Sequence, residues 1–143
     1  MTMTLTQALA RHGLTAADES LAETEIPVLT GMQRQGDILI TPRAPIGNAE
    51  LESMIPVPRE GVAVVRGEAT GNTHLLDAID GTVLWQAHVG SQGDVLLGVL
   101  HVSFGSTAHL IHTDEHGCNA IGEGTYTLHG KREMAEEIRR VAD

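Results

Sequence analysis

The chain has 143 residues, one cysteine, three aromatic residues and a formal net charge of −10 at neutral pH. That length fits one domain able to bury roughly two thirds of its unfolded surface without metal or disulfide, and the lone Cys118 excludes an internal disulfide framework. Residues 1–130 hold 15 acids against 5 Lys or Arg, while 131–143 hold four of each sign, so the acidic body lacks the basic, aromatic-bearing patch that a nucleic-acid backbone requires.

Met1 to Leu5 carries no basic segment followed by an apolar run, and no stretch approaches the ~20 apolar residues of a membrane span. The expectation is a cytoplasmic protein with neither membrane nor nucleic acid as partner. Residues 1–30 read as a helical arm. Thr4 with Gln7 forms a capping box ahead of Leu5, Ala8 and Leu9, Gly13 can close that helix in the left-handed region, and Thr15 with Asp18 repeats the start signal before Pro27. Helices this short form only when docked, on their own domain or on a neighbouring subunit.

Residues 31–130 read as β structure. Asp37 to Thr41, Val62 to Arg66, Thr82 to Val89, Val95 to Phe104, Thr107 to Thr113 and Thr125 to His129 are apolar or alternating runs bounded by turn formers. Ala44 to Glu60, with its three prolines, reads as irregular or as an edge, and Asp80-Gly81 predicts a hairpin joining Leu75–Ile79 to Val83–Ala87. Residues 131–143 end the chain with Met134, Ile138 and Val141 on one stripe of a short amphipathic helix.

Two patterns recur in the same order. Gln35-Gly36-Asp37-Ile38-Leu39-Ile40 returns 57 residues later as Gln92-Gly93-Asp94-Val95-Leu96-Leu97, and Gly67-Glu68-Ala69-Thr70 returns 55 residues later as Gly122-Glu123-Gly124-Thr125. The recurrence predicts an all-β barrel or sandwich of two pseudo-symmetric halves, with a helical N-terminal arm and a short C-terminal helix. Gly36, Asp37, Gly93 and Asp94 are then structural turn residues, the glycine supplying backbone freedom and the carboxylate accepting backbone amides. On these residues the chain resembles the cradle-loop barrels, whose halves each carry such a Gly-Asp box. Gly36 to Pro42 also resembles the start of the second cupin motif. Ala44 and Gly47 stand where that motif has a glycine and a metal-binding histidine, and the first motif's His-x-His pair is missing, so the cupin metal site is not implied. Arg66 to Gly71 and the ending Arg132 to Asp143 are similar to small uncharacterised proteins of bacterial and phage genomes, which imply no activity.

The histidines carry the chemistry. Seven of eight lie between His74 and His129, and His109, His112 and His116 fall with Asp114 and Glu115 in eight residues. Imidazoles near carboxylates bind zinc or a similar divalent ion, so these three are the candidate metal ligands, with Asp114 or Glu123 assisting and His101 or His129 as distant alternatives. On a strand, however, His109 and His112 point to opposite faces. Glu68 with His74 and Glu123 with His129 are candidate acid/base pairs or equivalent hairpin residues, and Cys118 beside His116 is a candidate nucleophile or an inert thiol. Protonating eight histidines would move the charge from −10 towards −2, which makes a pH-responsive binding module a further alternative.

No phosphate loop, dinucleotide fingerprint, complete metal motif or triad is present. The expected function is therefore a non-catalytic, homo-oligomeric structural or assembly module without cofactor, of a bacterial or phage particle, in the cytoplasm or virion. The alternative is a metal-binding protein or metal-dependent enzyme using His109, His112 and His116.

Overall fold

A computed structural model describes residues 2–17, 19–65, 73–88, 95–113 and 115–130. Helices occupy Leu5–Ala10 (α1) and Asn48–Ser53 (α2), with a 3₁₀ turn at Glu19–Leu21. The strands are β1 (Val28–Leu29), β2 (Gln33–Gln35), β3 (Ile38–Pro42), β4 (Ile55–Pro56), β5 (Val62–Val65), β6 (His74–Asp80), β7 (Val83–Ala87), β8 (Leu96–Val102), β9 (Thr107–His112), β10 (Gly117–Ile121) and β11 (Gly124–Gly130). They form a five-stranded sheet ordered β1-β10-β9-β6-β5 and a six-stranded sheet ordered β2-β3-β11-β8-β7-β4. The protein is an all-β sandwich. Neither sheet closes on itself, so the barrel alternative does not hold.

Alternation builds the core between the sheets. In β3, Ile38 and Ile40 face inward; in β8, Leu100 and Val102 do; and β6 and β9 contribute Leu76, Ala108 and Leu110. With few aromatics, branched aliphatics fill this layer, completed by Trp85 and Tyr126. Strand β9 departs from alternation: all six of its residues are buried. Its outer face is covered by the N-terminal arm, whose Ala8 packs with Ile26 and Ala120, flanked by Leu5, Val28 and Cys118.

The first start signal of the arm opens a helix, whereas the second is followed only by the 3₁₀ turn Glu19–Leu21, and Val28–Leu29 is a strand. Thr4 caps α1, its hydroxyl accepting from the Gln7 amide while the Gln7 side chain accepts from the Thr4 amide, and Gly13 follows at φ +71°. The arm then doubles back, with Leu5 N donating to Thr24 O at 3.0 Å and Ile26 N to Met3 O at 2.8 Å. It docks in cis, on its own sheet.

The Gly36-Asp37 turn is a two-residue hairpin joining β2 to β3, with Gln35 opposite Ile38. Gly36 has φ +56° and Asp37 does not share the positive sign, the pattern of a type II′ turn. Gly93, Asp94, Gly67 to Thr70 and the predicted C-terminal helix at 131–143 lie outside the described residues, so the doubling rests on sequence alone.

The predicted Asp80-Gly81 hairpin is corrected. β6 pairs with β5 and β9, whereas β7 pairs with β8 and β4 in the other sheet, so the chain crosses between sheets at Gly81. The reason lies in the adjacent β8–β9 crossing. Ser106 Oγ accepts from Thr82 N at 2.9 Å, and it sits 2.1 Å from where a Cβ on Gly81 would stand. Only glycine, here at φ +73°, lets the two crossings touch.

Gly98 on β8 shows the same close approach within the core. A Cβ there would meet Gln86 O and Trp85 Cη2, each at 2.5 Å. Gly98→Ala is expected to lower stability by about 2–3 kcal/mol through overpacking; urea denaturation read by tryptophan fluorescence measures it.

Candidate functional site

The register of β6 against β9 produces two polar clusters. His74 stands opposite His112, and Asp77 opposite His109. Because 74 and 77, and likewise 109 and 112, differ by an odd number, the pairs emerge on opposite faces of the sheet. The first lies between the sheets. The second lies beneath the arm.

The inner cluster joins the two sheets by side chains. The His74 and His112 rings stack with centroids 4.2 Å apart and planes at 14°. Gln35 Oε1 bonds His74 Nδ1 at 2.9 Å, and Gln35 Nε2 donates to Leu110 O at 2.5 Å and to Asn119 Oδ1 at 3.1 Å. Asn119 Nδ2 in turn donates to Gln33 Oε1 and to Arg34 O, each at 3.2 Å, and Gln33 Nε2 donates to Ala120 O at 3.0 Å. Gln33, Gln35, His74 and His112 are all buried. The Gly36 turn lies over the stacked rings, so that a Cβ there would sit 3.5 Å from His74 Cε1 and 3.7 Å from His112 Cε1. Glu115 Oε2 approaches His112 Nδ1 to 3.4 Å without hydrogen-bond alignment.

The outer cluster centres on Asp77, whose side chain is fully buried. Arg11 Nε donates to Asp77 Oδ2 at 2.9 Å and Nη2 to Oδ1 at 3.3 Å, a two-pronged contact, and His12 Nε2 meets Oδ2 at 2.7 Å. The hydrogen bond to Asp77 raises the Arg11 pKa above its ordinary value. His109 lies next to them, also buried, and its Nδ1 has no hydrogen-bond partner among the described residues. Burial lowers its pKa to about 4; Asp77 opposes that shift, while Arg11 and His12 add to it.

The predicted ligand set separates on this framework. His109 belongs to the outer cluster and His112 to the inner one. His116 occupies the β9–β10 turn at φ +54° and its Nδ1 donates to the Thr15 carbonyl, tying the arm to the turn. Among the described residues, no three or more His, Cys, Asp or Glu side chains converge as a metal site. Asp114, Glu68, Gly93 and Asp94 lie outside the described residues. Glu123 and His129 stand at opposite ends of β11, about 20 Å apart along the strand, and do not form a pair. His101 bonds Thr125 Oγ1 at 3.0 Å, and burial lowers its pKa. The Cys118 thiol is pushed up to about 12, first by burial and then by Asp77, which keeps it protonated and inert as a nucleophile at neutral pH.

One residue that sequence reasoning missed stands apart. Of the three aromatics, Trp85 and Tyr126 are core residues, whereas Phe104 is 93% exposed at the tip of the β8–β9 crossing. Its turn is braced: Ser103 N donates to Thr82 O at 3.1 Å, Ser106 N to Ser103 O at 2.9 Å, and Gly105 N to Glu123 Oε2 at 3.4 Å. Tyr126 Oη, donating to Gly122 O at 2.8 Å, fixes the neighbouring β10–β11 turn. The signal was an aromatic set between Ser103 and Gly105-Ser106 in an aromatic-poor chain.

The fold is a two-sheet all-β domain with buried histidines on both faces of one sheet. Residues 34–131 match the family described as a domain of unknown function (DUF8820), and the chain belongs to that family. No curated protein and no solved structure matches the chain. Asp77, His109 and Phe104 fall within the family match; Arg11 and His12, which grip Asp77, fall outside it.

Two outcomes follow from these contacts. Gln35→Ala removes three hydrogen bonds of a buried network and leaves Leu110 O without that donor, so a loss of about 2–4 kcal/mol is expected in chemical denaturation. For His109, the folded pKa of about 4 lies below the unfolded value of 6.5. Above 6.5 the ring is neutral in both states. As pH falls from 6.5 towards 4, the unfolded chain takes up a proton that the folded one refuses, so stability declines by about 1.4 kcal/mol per unit at most and this contribution flattens below the folded pKa. Denaturation of wild type and His109→Gln at pH values spanning that window should show a shallower decline in the variant.

Proposed function

We propose that this protein is a non-catalytic, homo-oligomeric assembly module, a subunit of a larger bacterial or phage particle. The observation that carries the reading is Phe104, an aromatic held outside the protein on a turn fixed by hydrogen bonds to Thr82 and Glu123 on two other segments. Exposing a large apolar ring to water is unfavourable, and a rigid turn can present it to a partner with little ordering cost on binding. Aromatics seated in a partner's pocket carry a large share of interface energy.

The chemistry of the buried clusters supports the same reading. A catalytic site needs convergent, accessible groups. Here the stacked imidazoles are sealed under the Gly36 turn, Asp77 is saturated by two arm residues, and the thiol is held protonated. A metal centre on His109, His112 and His116 would need the first two on one face of β9, and the register puts them on different faces.

Sedimentation velocity of the purified chain, with and without a chelator, tests the reading. A mass of two or more chains, unchanged by the chelator, is expected; a monomer at tens of micromolar overturns it.

A further inference from the structure

The N-terminal arm hangs on the body by its side chains. Among the described residues, the main chain of residues 3–26 hydrogen-bonds to main chain only within the arm, with Leu5 N donating to Thr24 O, Thr6 N to Ala22 O and Ile26 N to Met3 O. Strand pairing with the sheet starts beyond Pro27, at Val28 opposite Ala120. What holds the arm down is Arg11 and His12 on Asp77, His116 on the Thr15 carbonyl, and the apolar contact of Ala8 and Ile26 with Ala120. The arm can therefore lift as a unit about Pro27 without breaking a strand pairing.

Beneath it lies an ionisable ring. His109 is 2% exposed, and its Nδ1 has no hydrogen-bond partner among the described residues. The charged groups facing it are Asp77 from β6 and Arg11 with His12 from the arm just past α1. The residues of α1 itself are uncharged, and β10 offers Ala120 and the neutral Cys118 thiol. Since Asp77 already faces Arg11 and His12, a proton on His109 would add a further cation around one buried carboxylate. We infer that His109 is an acid-operated release for the arm: once protonated it repels the arm's bases and gains water only when the arm lifts, which bares the outer face of β9 and β10 while the sandwich stays folded. This does not depend on the assembly reading.

The sign follows from burial. Under the arm the ring's pKa lies at about 4, first through burial and then through Arg11 and His12, with Asp77 opposing. With the arm lifted the ring meets water and titrates near the ordinary value of about 6.5. Acid therefore favours the lifted state, by up to about tenfold per pH unit from 6.5 downwards and roughly 100-fold over the first two units. Above 6.5 the ring is neutral in both states and the arm stays down.

Two residues report on arm and body separately. Cys118, the one thiol, packs under the arm beside Ala8 and Ile26, and Trp85, the one tryptophan, is 5% exposed between the sheets. The full chain is treated with a pyridyl disulfide across this pH range, its rate normalised to that of free cysteine, while Trp85 emission is followed in the same samples. Between pH 6.5 and 4.5 the Cys118 rate is expected to rise roughly 10- to 100-fold with Trp85 emission unchanged. In His109→Gln, whose side chain is never charged, the rate should stay flat. A flat wild-type profile, a rise that persists in His109→Gln, or a change in Trp85 emission together with the rise overturns the proposal. Where the variant does not fold, NMR of isotopically labelled histidine rings in the wild type replaces it: His109 must gain its proton over the pH range in which Cys118 opens, and a ring that titrates elsewhere overturns the proposal equally.

Discussion

The structure depends on what is done with one buried carboxylate. Asp77 sits on the outer face of β6, opposite His109, where an unpaired charge would cost several kcal/mol. The N-terminal arm brings Arg11 and His12 to it, at 2.9 and 2.7 Å. The ion pair thereby fixes where α1 lies, and Ala8, Leu9 and Ile26 bury apolar surface in the same layer. A six-residue helix is marginal alone; clasped to Asp77, it becomes the second cover of β9. The family match begins at Arg34, so the body shared with the family supplies the acid and this chain's leading segment supplies the bases.

The histidines take their meaning from the same register. Three of them fall within eight residues and invite a metal reading. Strand geometry distributes them instead among an inter-sheet network, a sub-arm cluster and a turn contact to Thr15. Stacked rings and amide side chains do between the sheets what aliphatics do elsewhere. They fill volume, and their hydrogen bonds specify one register where an apolar pair would tolerate several.

Much of the architecture was legible in the residues. The Thr4–Gln7 capping box, Gly13 and the alternating runs of β3, β8 and β11 each carry a local physical signal, and each appears as read. Local signals do not say which sheet a strand joins. Asp80-Gly81 has the chemistry of a hairpin turn, yet the chain crosses layers there, because Ser106 from the β8–β9 crossing occupies the space beside Gly81. Gln33-Arg34-Gln35 gave no strand signal, since its buried residues are amides whose partners, Leu110, Asn119 and Ala120, are more than 70 positions distant. The odd spacing of His109 and His112 did foretell their separation. That Asp77 would gather Arg11 and His12 was invisible until the arm's docking face was known.

The division of labour is plain: polar groups are used inside, and Phe104 is left outside on a braced turn. The claim beneath it is that Asp77 is an architectural anchor satisfied by the arm. A double-mutant cycle on folding stability, combining Arg11→Met with Asp77→Asn, tests it most directly. The account predicts a coupling energy of about 2 kcal/mol or more; effects that simply add would contradict it.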